Sequence, residues 1–148
     1  MRGRKHIGAL FKYYFSDLGI RNAILDFMHR DKGHLMENII YNELIYRGYD
    51  VEIGVIEAYS KNNNKTIRVN YEADFIARMG SRVYYIQAAY DMPNEEKYEQ
   101  ESKPLNLIND SFKKIIVTRQ SAPITHDING ITIIGIIDFL LDQSSMDK

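Results

Sequence analysis

Three strand-like runs follow one another between residues 51 and 89, and this constrains the fold more than any other feature of the chain. Residues 51–59 and 66–77 flank Lys61-Asn-Asn-Asn-Lys65, a polar turn suited to a hairpin. Gly80-Ser81 marks the next turn, and residues 82–89, rich in aromatic and β-branched side chains, form a third strand before Pro93. Residues 35–47 read as the clearest helix, with Leu35, Ile39, Ile40, Leu44 and Ile45 as its apolar face and Gly48 as its stop. Residues 94–109 read as a second helix, charged first and then apolar at Leu105, Leu107 and Ile108. A short buried strand follows at 114–118. The core order helix, three strands, helix, strand (αβββαβ) predicts an α/β fold, a mixed sheet with helices on its faces.

The flanks add smaller elements. Residues 13–15 read as a short extended piece and 17–29 as a helix carrying Leu18, Ala23, Ile24, Phe27 and Met28. Asp31-Lys-Gly33 reads as a break, 131–134 as a strand, and 136–141 as a short helix after Gly135. These readings divide the chain into a basic, aromatic segment (1–16), one α/β domain (17–142) and a polar tail (143–148) expected to fray. A length of 148 residues with 45% hydrophobic content suits a single core. The net charge of −1 gives no global field toward nucleic acid or an acidic membrane. The absence of cysteine excludes disulfides and thiolate metal sites. The apolar stretch 131–141, interrupted by Gly135 and Asp138, is too short to span a bilayer. The expectation is a soluble cytoplasmic protein with no membrane partner.

Strand side chains alternate between faces. Alternation puts Arg68, Asn70, Glu72 and Asp74 on one face of the second strand, and Val69, Tyr71, Ala73 and Phe75 on the other. In the third strand Tyr85, Gln87 and Ala89 share a face, so pairing of the two strands brings Asp74 toward Gln87. Glu37 lies at the edge of the buried face of the helix at 35–47. Oxygen ligands of this kind suit Mg²⁺ or Mn²⁺, which would activate water and stabilise charge on a phosphate. A charged strand face is also, more simply, a solvated face. His6, His29, His34 and His126 show no zinc-site spacing, and no serine, histidine and acid form a recognisable triad. Arg2, Arg4, Lys5 and His6, with Tyr13 and Tyr14 nearby, fit either nucleic-acid contact or a linker.

Six stretches carry a resemblance. They are Lys12-Tyr-Tyr-Phe-Ser-Asp-Leu-Gly-Ile-Arg-Asn22, Met36-Glu-Asn-Ile-Ile-Tyr-Asn-Glu-Leu44, Tyr71-Glu-Ala-Asp-Phe-Ile-Ala77, Tyr85-Ile-Gln-Ala-Ala-Tyr90, Asp110-Ser-Phe-Lys-Lys-Ile-Ile116 and Ile137-Asp-Phe-Leu-Leu141. In this order they resemble the C-terminal domain, of unknown function, of a prokaryotic AAA-type ATPase family, which is similar to the PD-(D/E)XK nuclease superfamily. The resemblance implies a restriction-endonuclease-like mixed β-sheet flanked by helices. It implies Glu37 as the helix acid, Asp74 as the central metal-binding aspartate, Gln87 at the Glu/Gln position and Glu72 as the acid two residues before the aspartate. Ala89 stands where the superfamily has lysine, with Lys97 or Lys103 of the next helix as a migrated replacement. The implied cofactor is Mg²⁺ or Mn²⁺. The implied partner is an ATPase domain in cis, with residues 1–16 as the remnant of a linker to it. No G-x-x-x-x-G-K-[ST] loop occurs, so this chain has no ATP site of that type. The expected function is a nuclease-like domain, catalytically weak or inactive, that binds a partner or nucleic acid. The alternatives are an active Mg²⁺-dependent DNA or RNA hydrolase and a homo-oligomerisation module.

Overall fold

The computed structural model describes residues 12–28, 31–62, 65–121 and 123–148. The basic cluster Arg2, Arg4, Lys5 and His6, together with His29, lies outside the described residues, as does the tip of the hairpin turn.

The expected order is present, Thr132–Gly135 matches the strand expected at 131–134, and the strand Thr125–His126 is an addition to it. α1 (Leu18–Ile24) and α2 (Lys32–Tyr46) precede β1 (Asp50–Asn62), β2 (Lys65–Met79) and β3 (Arg82–Ala89). α3 (Glu95–Asn106), β4 (Lys113–Thr118), β5 (Thr125–His126), β6 (Thr132–Gly135) and α4 (Ile136–Leu141) complete the fold. One six-stranded sheet has the order β1-β2-β3-β4-β6-β5. β1, β2 and β3 are antiparallel, whereas β3, β4 and β6 run parallel, so the sheet is mixed. A parallel step needs a crossover, and α3 supplies the one between β3 and β4.

The sheet has a core on each face. On one, Met36, Ile40 and Leu44 of α2 pack with Phe75, Ala77, Ile86, Ile115, Val117, Ile134 and Phe139. On the other, Leu105 of α3 packs with Ala73, Ala89, Ile116 and Ile131.

Several boundaries differ from expectation for local reasons. α1 stops at Ile24 because Asp26 and Phe27 adopt left-handed backbone, with φ of 48° and 57°. The expected break at Asp31-Lys-Gly33 is instead the start of α2, whose N-cap Asp31 accepts from the His34 amide at 3.1 Å. Gly48, with φ of 86°, ends that helix as its sequence position predicts. The tail does not fray: Ser145–Asp147 forms a 3-10 turn, Met146 is buried in the core, and the Tyr84 hydroxyl donates to Asp147.

The largest departure is inside β2. The β1–β2 register pairs Glu52 with Ile76 but Gly54 with Ala73. Asp74 and Phe75 therefore oppose the single residue Ile53, which is a β-bulge. Three consecutive buried residues, Ala73, Asp74 and Phe75, follow from it, and Ala73 and Phe75 pack in cores on opposite faces. Strict alternation, which puts Ala73 and Phe75 on one face, fails here. Gly54 fits the crowding, since a Cβ on it would lie 3.0 Å from that of Ala73.

Candidate functional site

β2 pairs with β3 only from Phe75 to Met79, so the two strands part at Asp74. Strands that part leave backbone donors without ladder partners, and a buried donor must find another acceptor. The Asp74 carboxylate accepts from the Ala88 amide at 2.9 Å through Oδ2, and the Asp74 amide donates to Gln87 Oε1 at 3.4 Å. The bulge thus fixes Asp74 beside Gln87, and both side chains close the fork in the sheet.

The other Asp74 oxygen meets a residue from the far end of the chain. Lys12 Nζ lies 2.8 Å from Asp74 Oδ1 and 3.2 Å from Glu37 Oε2. One ammonium is shared by two carboxylates, one from the bulge and one from the second turn of α2. The Asp74 side chain is 9% exposed, that of Glu37 21% and that of Lys12 24%. The Tyr14 hydroxyl adds a long hydrogen bond to Glu37 at 3.4 Å.

The electrostatics follow from this sharing. Burial alone would lower the Lys12 ammonium, but hydrogen bonding and attraction from Asp74, then Glu37, outweigh it and hold its pKa above the ordinary lysine value. Glu37 is raised, first by burial and then by repulsion from Asp74, with Lys12 opposing both. Tyr14 is raised by burial and by the neighbouring Glu37 and Asp74 charges, so its hydroxyl stays protonated.

The segment that delivers Lys12 is held by α2. Asn38, fully buried, accepts from the Phe15 amide at 2.9 Å and donates to the Phe15 carbonyl at 2.8 Å. Its carboxamide replaces a strand partner for that residue. Asn42 adds a bond to the same carbonyl at 3.0 Å. The Tyr14 ring stacks on Tyr41 at 4.5 Å and lies 6.0 Å from His34.

Gln87 also reaches α3, and the other candidates make no bond to the Asp74 carboxylate among the described residues. Gln87 Nε2 donates to Glu101 Oε2 of α3 at 3.2 Å. Lys97 pairs with Glu101 at 2.6 Å, and Lys103 lies over the Tyr71 ring at 5.2 Å, so neither reaches Asp74. Glu72 is half-buried and joins none of the hydrogen bonds or ion pairs of the cluster among the described residues. Ala89 is 1% exposed and packs against Leu105 and Ile116, so its side chain faces the α3 core. Lys12, Asn38 and Glu101 are site residues that sequence reasoning missed. One signal for Lys12 was available: in an extended piece Lys12 and Tyr14 share a face, and both touch Glu37.

Among the described residues no group of three or more histidines, cysteines or acids is arranged to hold a metal. The donor set after Lys12 is two carboxylates, Asp74 and Glu37, which suits a hard cation that retains most of its water. Among the described residues no helix is long and apolar enough to cross a membrane.

No family model matches the chain, and no solved structure matches it. It is similar to an uncharacterized protein of Haemophilus influenzae, 31% identical over 141 residues that cover 95% of this chain and 31% of that protein. The chain therefore spans about a third of the length of the curated relative it matches.

Proposed function

We propose that this chain is a restriction-endonuclease-like domain associated with an ATPase domain in a longer cytoplasmic protein. As it stands it is catalytically weak or inactive, and it acts by binding a partner or nucleic acid. The observation that carries this reading is the Lys12 ammonium between Asp74 and Glu37. The two carboxylates that a catalytic cation needs already share a cation of the chain's own. The mixed sheet supports the nuclease-like ancestry, with an acid on α2, an aspartate at a bulge and a glutamine on the adjoining strand. The threefold greater length of the Haemophilus influenzae relative supports an additional domain.

A second reading, an active Mg²⁺-dependent DNA or RNA hydrolase, is favoured by one feature. Lys12, unlike Lys97 or Lys103, puts an ammonium 2.8 Å from Asp74. A bound Mg²⁺ or Mn²⁺ would supply an activated water there and stabilise phosphate charge. Asp74 and Glu37 would hold it, Gln87 would keep the bulge in place, and Lys12 would hold a proton or a phosphate oxygen.

Labelled single- and double-stranded DNA and RNA, incubated with Mg²⁺ or Mn²⁺, separate the two. The proposal expects no cleavage above that of Asp74→Ala, together with binding that weakens as salt rises. Cleavage that Asp74→Ala abolishes would replace it with the hydrolase reading.

A further inference from the structure

We propose that residues 12–15 form a strap that keeps a tethered counter-ion, Lys12, in the Asp74–Glu37 site, so that Lys12 and a divalent cation exclude each other there. This rests on the reading of Asp74 and Glu37 as a cation site.

The geometry carries the exclusion. Lys12 Nζ touches Asp74 Oδ1 at 2.8 Å and Glu37 Oε2 at 3.2 Å. Oδ2 of Asp74 is already engaged by the Ala88 amide. A cation that bridges the two carboxylates therefore competes with Lys12 for Asp74 Oδ1, the oxygen the Ala88 amide leaves open. Charge favours the exchange, because two carboxylates with one ammonium keep one negative charge, which a divalent ion would neutralise.

Among the described residues the strap is anchored at its Phe15 end. Its anchor is Phe15, held on both backbone polar groups by Asn38 and again by Asn42. Tyr14 is fixed by its stack on Tyr41. Lys12 lies beyond both anchors, on a flexible four-carbon stem that can leave without unfolding the segment. Tyr13 between Lys12 and Tyr14 is 80% exposed, so among the described residues little packing over it resists the movement. A lysine tethered this closely competes as an intramolecular ligand, at an effective concentration that free cations must overcome.

The test is Mn²⁺ binding to the purified chain, followed by electron paramagnetic resonance, for the native protein, Lys12→Met, Asn38→Ala and Asp74→Asn. Methionine keeps the apolar stem and removes the charge. Lys12→Met is expected to bind Mn²⁺ at least about tenfold more tightly than the native chain. Asn38→Ala, which leaves every charge in place but loosens the anchor, is expected to show a smaller gain. Asp74→Asn is expected to lose binding. Equal or weaker binding by Lys12→Met, with Asp74→Asn still abolishing it, overturns the strap and leaves the cation site standing. No Mn²⁺ binding by any of these proteins overturns the cation-site reading and the strap with it.

Discussion

Replacing Lys12 by methionine probes the ion cluster through stability alone. The substitution leaves Asp74 and Glu37 facing each other with no cation between them. Removing one partner of a fully buried pair costs about 3–5 kcal/mol. Here the Asp74 side chain is 9% exposed but those of Glu37 and Lys12 are 21% and 24% exposed, so water screens part of the loss. A cost of about 2–3 kcal/mol is expected. Asp74→Asn alone keeps an acceptor for the Ala88 amide and leaves the Lys12–Glu37 pair, so it is expected to cost about 1 kcal/mol. In the double variant the unpaired charge on Asp74 is gone, and the two changes should cost about 1–2 kcal/mol less than their sum. Urea unfolding of all four proteins, with an unchanged dependence on denaturant, gives these values. A cost below about 0.5 kcal/mol for Lys12→Met, or strict additivity of the pair, would refute the shared-cation account.

Ala89→Lys is expected to fail as a restoration of the superfamily lysine. Position 89 is 1% exposed among Ala73, Leu105 and Ile116, so a lysine there should cost about 3 kcal/mol or more, and a variant melting with the native protein would contradict that placement. Asn38→Ala removes both bonds to Phe15 and is expected to cost about 2 kcal/mol, read as a lowered melting temperature with faster hydrogen exchange at the Phe15 amide. Burial and then the hydrogen bond to Asp110 raise Tyr85 from 10.0 to about 12. A folded pKa above the unfolded one gives stability that is complete below about pH 10 and lost as pH rises toward 12. Melting temperature should therefore be flat up to pH 10 and then fall, more steeply for the native chain than for Tyr85→Phe.

The αβββαβ core was legible because β1, β2 and β3 are long runs set apart by polar turns, and because α2 carries apolar residues up to a glycine stop. β5 was not, since two exposed residues, Thr125 and His126, leave no pattern to read. Alternation located Asp74 and Gln87 on adjoining strands but could not show the bulge, because it presumes a regular pleat. The bulge depends on how Ile53 and Gly54 of β1 oppose β2, which is a property of the pair and not of either strand. Met146 is a lone apolar residue in a polar tail, and only the site it fills reveals its burial. Lys12 was the costliest omission. A lysine in a basic terminal stretch reads as a solvated charge, and its partner Asp74 is 62 residues away. Lys97 and Lys103 follow Ala89 in sequence, but both belong to α3 and bond away from Asp74. In the fold, the lysine that pairs with the aspartate comes from the segment before α1.

The central claim is that Asp74 and Glu37 form a cation site held by Lys12. A crystal of Lys12→Met soaked with Mn²⁺ tests it most directly, through the anomalous signal of the metal. The account predicts a peak at coordination distance from Asp74 Oδ1 and Glu37 Oε2. Well-ordered Asp74 and Glu37 with no anomalous peak between them would contradict it.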